Sequence, residues 1–306
     1  MILFVFVDGV GVGPRGAPNP FTDAPIEVLA PLAGRPPPKG VFYTPLDASL
    51  GWPGLPQSAT GQAALFTGED AMAVAGGHWA GAPTPRLARF IADKSVFARA
   101  RAEGLRTAML NAYDERRARH VERVVRGEER ASRRYPPSAI AWGALASADP
   151  HAPIELRTLG DVRAGRAATF DVTGEVVRGF GIDAPVVTPT QAADALLAGA
   201  REVDLAVFEA FLTDKAGHAQ DTTWARHEIA RHERLLAALV GRADPSRDLV
   251  VVTSDHGNLE DLSTRGHTRA PVPLLAFGLG AEVFVSGARD LRDVALRLLE
   301  RARTRT

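Results

Sequence analysis

Residues 249–258 read LVVVTSDHGN. Four apolar β-formers run straight into Thr253, Ser254, Asp255 and His256, so a strand with the continuous apolar texture of one buried on both faces ends on two side chains that bind metals well. Ser, Asp and Asn also cap helices, and a cap after a strand accounts for those residues. It does not account for the histidine. The same texture opens the chain, where ILFVFV at 2–7 is followed by Asp8, and it returns in VDLAVFEAFLTD at 203–214 and PVPLLAFG at 271–278.

Between these runs, residues 84–103 carry an amphipathic helical pattern, LRTAMLNAY at 105–113 reads as a strand, and helices are expected from about 222 to 240 and from about 290 onward. The alternation predicts an α/β fold, a mostly parallel sheet sandwiched by helices. Residues 14–56 are rich in proline, RPPPKG included, and are expected to form an ordered surface loop. From 114 to 189 strong buried strands are missing. The expected organisation is therefore a catalytic domain in two parts, 1–113 and 190–306, flanking a small inserted cap at 114–189.

The 306 residues are 45% hydrophobic and 24% charged, the composition of an ordinary folded protein. Lys plus Arg and Asp plus Glu both number 36, so the molecule has no net field to steer a polyanion or an anionic membrane. The absence of cysteine excludes disulfides and thiolate metal ligands and leaves oxygen and imidazole as the available donors. The N-terminal apolar run has no basic leader and is interrupted by Asp8, and no apolar segment approaches the roughly 20 residues needed to cross a bilayer. The expectation is a cytoplasmic protein with no membrane partner; nothing in the sequence bears on its oligomeric state.

Ligands of an open parallel sheet collect at the carboxyl ends of the strands. Those ends carry Asp8, then Asp214 with His218 four residues on, then Asp255 and His256, while His267 stands just before the run at 271. A lone Asp after a strand is usually a turn former, and a lone His usually an ordinary polar residue. Three aspartates and three histidines at one sheet edge would instead be a costly pile of charge without cations, and ligands of this type suit Zn²⁺ or Mn²⁺. PQSATGQAALFTG, at 56–68, adds a candidate nucleophile: Ser58 lies in the turn that opens a helix, where backbone N–H groups and the helix dipole welcome an anion. Taken alone, that segment reads more readily as a helix capped by Ser58 or Thr60 than as a nucleophile turn.

In order along the chain, VDGVGVG, PQSATGQAALFTG, TDKAGH, SDHGN and GHTRAPVP resemble the alkaline phosphatase superfamily, in particular the branch of cofactor-independent phosphoglycerate mutase and phosphopentomutase. The resemblance implies two divalent ions, Mn²⁺ or Zn²⁺. One would be held by Asp214, His218 and His267, the other by Asp8, Asp255 and His256 with Ser58 as both ligand and nucleophile. Gln62 stands where the mutases usually have a histidine, and the segment at 114–189 is far shorter than their substrate-binding insertions, so their sugar-phosphate residues do not transfer. The implied activity is phosphoryl transfer to or from a small phosphorylated metabolite, through a phosphoserine at Ser58. A short cap open to water favours a phosphatase over a phosphomutase.

Other features carry less. The run 115–135 holds eight arginines against four glutamates; it reads mainly as a solvated, ion-paired helix, with Arg133 and Arg134 as candidates to reach a substrate phosphate. A nucleic-acid-binding module using this basic stretch is the alternative from another class, opposed by the zero net charge and the lack of an aromatic cluster on a strand. A scaffold keeping metals only for stability is a third, opposed by Ser58. DGVGVG lacks the spacing of a dinucleotide loop. His227 and His232, five apart, would point about 140° from each other on a helix and are expected to face solvent. His78, His120, His151, Lys215 and Asn111 are assigned no role.

Overall fold

A computed structural model describes residues 1–16, 18–132, 136–146 and 156–304. Its centre is β1 (Ile2–Val7), every residue of which is buried. Ile2, Phe4 and Phe6 enter one hydrophobic layer, and Leu3, Val5 and Val7 the other. Each such side chain contributes about 1.5–3 kcal/mol on burial, so a strand apolar at every position is stable only between two covered faces.

On one face lie the helices Ser58–Thr67, Pro85–Lys94, Ala139–Leu145 and Arg292–Arg303, and on the other Pro189–Arg201 and Thr222–Arg242. With β2 (Val41–Leu46), β3 (Thr107–Met109), β4 (Leu205–Ala210), β5 (Leu249–Thr253) and β6 (Val272–Gly278), the sheet has the order β2-β6-β5-β1-β4-β3. β1 is parallel to β4 and β5, and β3 to β4. This is the mostly parallel, helix-covered α/β sheet expected. β6 alone runs against its neighbours β5 and β2. Its reversal brings its first residues, and His267 before them, to the edge where β1, β4 and β5 end.

Several boundaries differ from the expectation. The stretch 14–56 is not all loop: it holds a short 3-10 helix, Ala30–Ala33, and β2. β2 tolerates Pro45 because it is an edge strand, with Pro45 opposite Pro273. The helical pattern at 84–103 is two helices, Pro85–Lys94 and Val96–Ala102, broken at Ser95, whose extended backbone and hydroxyl cap the second (Ala98 N–H to Ser95 Oγ, 3.3 Å). The run 203–214 leaves the sheet at Ala210, and Asp214 sits instead in the first turn of the helix Leu212–Ala219.

Within 114–189, the helices Glu115–Val125 and Ala139–Leu145 contribute Ala118, Val121, Ile140 and Ala144 to the main core, while Leu159, Val162 and Val177 form a small cluster with Ala112. Among the described residues no helix is long and apolar enough to cross a membrane.

Candidate metal centre

At the carboxyl edge of the sheet the chain gathers all seven side chains expected there. β5 delivers Ser254, Asp255 and His256 with none of their surface exposed. The helix Ser58–Thr67 comes down onto Asp255 at Gly61, where an added Cβ would lie 2.9 Å from the Asp255 carbonyl oxygen. That close approach sets Ser58 Oγ 2.9 Å from His256 Nε2. The same nitrogen lies 3.3 Å from Asp8 Oδ1 and 3.5 Å from Asp255 Oδ2.

The second group is built on the helix Leu212–Ala219, where Asp214 and His218, four apart, share a face. His218 Nε2 is 3.3 Å from Asp214 Oδ2, and His267 Nε2 is 3.7 Å from Asp214 Oδ1. Asn258 fixes this carboxylate by donating its side-chain N–H to Asp214 Oδ1 at 2.7 Å. The two groups touch: the rings of His256 and His267 stack at 3.6 Å, and the donor atoms of Asp214, His256 and His267, like those of Asp8, Asp255 and His256, lie within 4.8 Å of one another. His256 is thus common to two clusters rather than confined to one.

The donor set fits divalent cations on three counts. First, His218 Nδ1 and His267 Nδ1 both face backbone carbonyls, of Arg265 at 2.6 Å and Pro56 at 2.9 Å. A carbonyl only accepts, so each Nδ1 carries a proton, the tautomer that leaves Nε2 as the nitrogen available to a cation. Those two Nε2 atoms are 3.3 Å apart, and two nitrogens each about 2.0–2.1 Å from a tetrahedral ion lie about 3.3–3.4 Å from each other. Second, Asp8 Oδ1 and Asp255 Oδ2 are buried with no hydrogen-bond partner among the described residues. Third, burial, then repulsion from Asp255 and Asp214, drives the Asp8 carboxyl well above its usual range, and burial with repulsion from Asp214 pushes Asp255 up to about 7. Burial also holds His256 well below, and His267 below, the ordinary imidazole value. Neutral imidazoles among crowded carboxylates lack only positive charge.

Glu209, absent from the expected set, belongs to this neighbourhood. It is the one charged residue of β4, buried, with its carboxyl pushed up to about 8 by burial and by Asp255. A single acid inside an otherwise apolar strand was the available signal. Gln62, at the position where the mutases usually have a histidine, donates to Asp8 Oδ2 at 3.3 Å.

The remaining residues fall elsewhere. Arg133, Arg134 and His151 lie outside the described residues. In the arginine-rich helix, Arg123 and His120 both pair with Glu129 at 2.7 Å, the ion-paired face expected. Asn111 is bonded through its amide to both backbone groups of Glu209, extending the pairing of β3 with β4. Lys215 is exposed and His78 is half-buried. His232 is not solvent-facing: it is 3% exposed, its Nδ1 donating to the Glu228 carbonyl at 2.8 Å, beside a buried Arg231–Glu228 ion pair at 2.7 Å. The five-residue spacing set the angle between the two rings but not which of them faced the sheet.

The description "Metalloenzyme superfamily" belongs to the family model that matches residues 175–304, a span holding Asp214, His218, Asp255, His256 and His267. A phosphopentomutase of Methylorubrum extorquens (strain PA1) is 36% identical over 74 residues, 24% of this chain. The chain spans only 18% of the length of that relative. In fold, it resembles a protein of Pyrococcus horikoshii (TM-score 0.57, 14% identity, 98% of this chain and 96% of that one). It also resembles the alkaline phosphatase of the Antarctic bacterium TAB5 (TM-score 0.53, 14% identity, 99% and 98%).

Proposed function

We propose that the chain, whose residues 175–304 match the metalloenzyme superfamily model and whose fold resembles that of an alkaline phosphatase, is a dinuclear-metal phosphoryl-transfer enzyme of the alkaline phosphatase superfamily, a phosphatase that acts on a small phosphorylated metabolite through a phosphoserine at Ser58. What carries this reading is Ser58 Oγ standing 2.9 Å from His256 Nε2, at the junction of two groups of carboxylates and imidazoles.

Asp8, Asp255 and His256, with Ser58, would hold one ion, and Asp214, His218 and His267 the other, as Mn²⁺ or Zn²⁺. Bound there, the ions supply Lewis-acid polarisation of the phosphoryl oxygens and neutralise their charge. Ser58 gives up its hydroxyl proton and forms its Oγ–P bond in line as the P–O bond to the alcohol breaks, and the leaving oxygen takes the electron pair and, in net, that proton. The first turn of the helix Ser58–Thr67 directs its N–H dipoles at the dianion. Asn258 and the carbonyls of Pro56 and Arg265 keep Asp214, His267 and His218 in register throughout. Water then attacks phosphorus as the Oγ–P bond breaks, Oγ takes the electron pair and one proton of that water, and phosphate leaves.

Hydrolysis is favoured over internal transfer because Ser58 is half-buried and the His218 side chain 40% exposed, so water has access to the intermediate. The second reading, a phosphomutase, draws on the 36% identity to a phosphopentomutase. A panel of phosphorylated metabolites assayed with Mn²⁺ separates the two. The proposal expects free phosphate equal to substrate consumed; isomerised product with no phosphate released would replace it by the mutase reading.

A further inference from the structure

The glycines of DGVGVG, which do not form a dinucleotide loop, have a different occupant. Glu260, 1% exposed, lies among three loops. Its Oε2 accepts the Gly11 N–H at 2.8 Å and the Asn258 N–H at 2.9 Å, and its Oε1 accepts the Thr268 hydroxyl. These contacts join the loop after Asp8, the loop after His256 and the loop after His267. The fit leaves no room for side chains. A Cβ on Gly11 would come within 2.4 Å of Glu260 Cδ, and one on Gly257 within 2.4 Å of Glu260 Oε1. Thr268, in turn, is held by Gly257 through its backbone N–H at 2.9 Å. Among the described residues Glu260 makes its hydrogen bonds to Gly11, Asn258 and Thr268 and not to any of the seven side chains proposed to bind metal or substrate, yet every loop it grips carries one or two of them.

We propose that Glu260 is a positioning residue, a buried clamp that holds the loops of Asp8, His256 and His267 in the arrangement that binds divalent cations. The inference rests on the metal-centre reading above for its consequence, though the clamp itself does not. Loop-to-loop geometry sets whether separate donors meet at one ion, and losing such an outer support typically weakens metal binding 10- to 100-fold.

The test compares full-length wild type with E260A, E260Q, G11A and the G11A/E260A double variant, each freed of metal. Mn²⁺ alone is titrated by calorimetry, and amide hydrogen exchange is followed without metal. E260A is expected to bind Mn²⁺ roughly 10- to 100-fold more weakly, and to exchange the Gly11 and Asn258 amides faster while those of β1 and β5 stay protected. E260Q is expected to retain most of the affinity, since its carbonyl can accept the two N–H bonds and its amide can donate to Thr268. G11A is expected to mimic E260A by displacing the carboxylate, and to add nothing once that carboxylate is gone. Unchanged affinity in E260A, or an equal loss from G11A in both backgrounds, overturns the clamp. Should E260A not fold, E260Q and G11A decide, and affinities equal to wild type in both count against it. A wild type that takes up no Mn²⁺ overturns the metal-centre reading instead, and the clamp is then judged by the Gly11 and Asn258 amides, whose unchanged protection in E260A would end it.

Discussion

Replacing Glu209 by Gln should make the metal-free protein more stable at pH 8 and leave it nearly unchanged at pH 5. Glu209 is 6% exposed, and burial together with Asp255 raises its carboxyl from 4.5 to about 8. Between those values the folded chain keeps a proton that the unfolded chain has released, so ν_U − ν_N is negative and stability falls as pH rises. The loss is absent below about pH 4.5 and complete above about pH 8. At about 1.4 kcal/mol per unit it amounts to on the order of 3–5 kcal/mol, or roughly 5–8 °C in melting temperature for a chain of this size. Gln keeps the shape without the titration. Thermal melts of EDTA-treated wild type and E209Q from pH 4.5 to 8.5 read the difference directly. Curves that diverge with pH by this amount support the argument, and added Mn²⁺ should narrow the gap by supplying the missing charge. Parallel curves would refute it, because they would mean that Glu209 ionises in the folded protein as easily as in the unfolded one.

His218 is partly exposed and makes its contacts at the edge of the cluster, so H218A should lower bound metal from two ions per chain to one by elemental analysis. Its melting in EDTA should change by no more than about 0.5 kcal/mol. G61A should melt lower and transfer phosphate more slowly, because a Cβ 2.9 Å from the Asp255 carbonyl oxygen overpacks the nucleophile helix by about 1–3 kcal/mol, more than the helix gains from Ala, about 1 kcal/mol. S58A should lose at least about a thousandfold in turnover while its EDTA melt stays that of wild type, and phosphate release at the wild-type rate would remove Ser58 from the mechanism.

The parts of this molecule legible in its sequence are those where burial on both faces leaves no choice of residue. ILFVFV and LVVV could only be central strands, and the acids and histidines that follow them stand at the sheet's carboxyl edge as a result. β2 was hidden because an edge strand admits Pro45 and half-exposed Phe42, Tyr43 and Thr44, so its pattern merges with the proline-rich segment around it. The end of β4 was hidden for the opposite reason. Apolar residues continue through Phe211 and Leu212 without a breaker, and the switch from strand to helix leaves no mark in composition. Asp214, His218 and His267 were recognisable as a set, but the antiparallel β6 that brings His267 to them depends on long-range pairing. Glu209 is marked in the sequence only as an acid inside an apolar strand, and Glu260 not at all, because a lone acid gives no spacing to read; their meaning lies in what packs against them.

The most direct test of the central claim is acid quench of the Mn²⁺-loaded protein within milliseconds of mixing with a hydrolysed substrate, followed by mass spectrometry of the peptide containing Ser58. The account predicts a phosphate on Ser58 that appears before free phosphate and disappears as substrate is exhausted. Free phosphate accumulating from the first turnover with Ser58 unmodified, or the phosphate found on another residue, would contradict it.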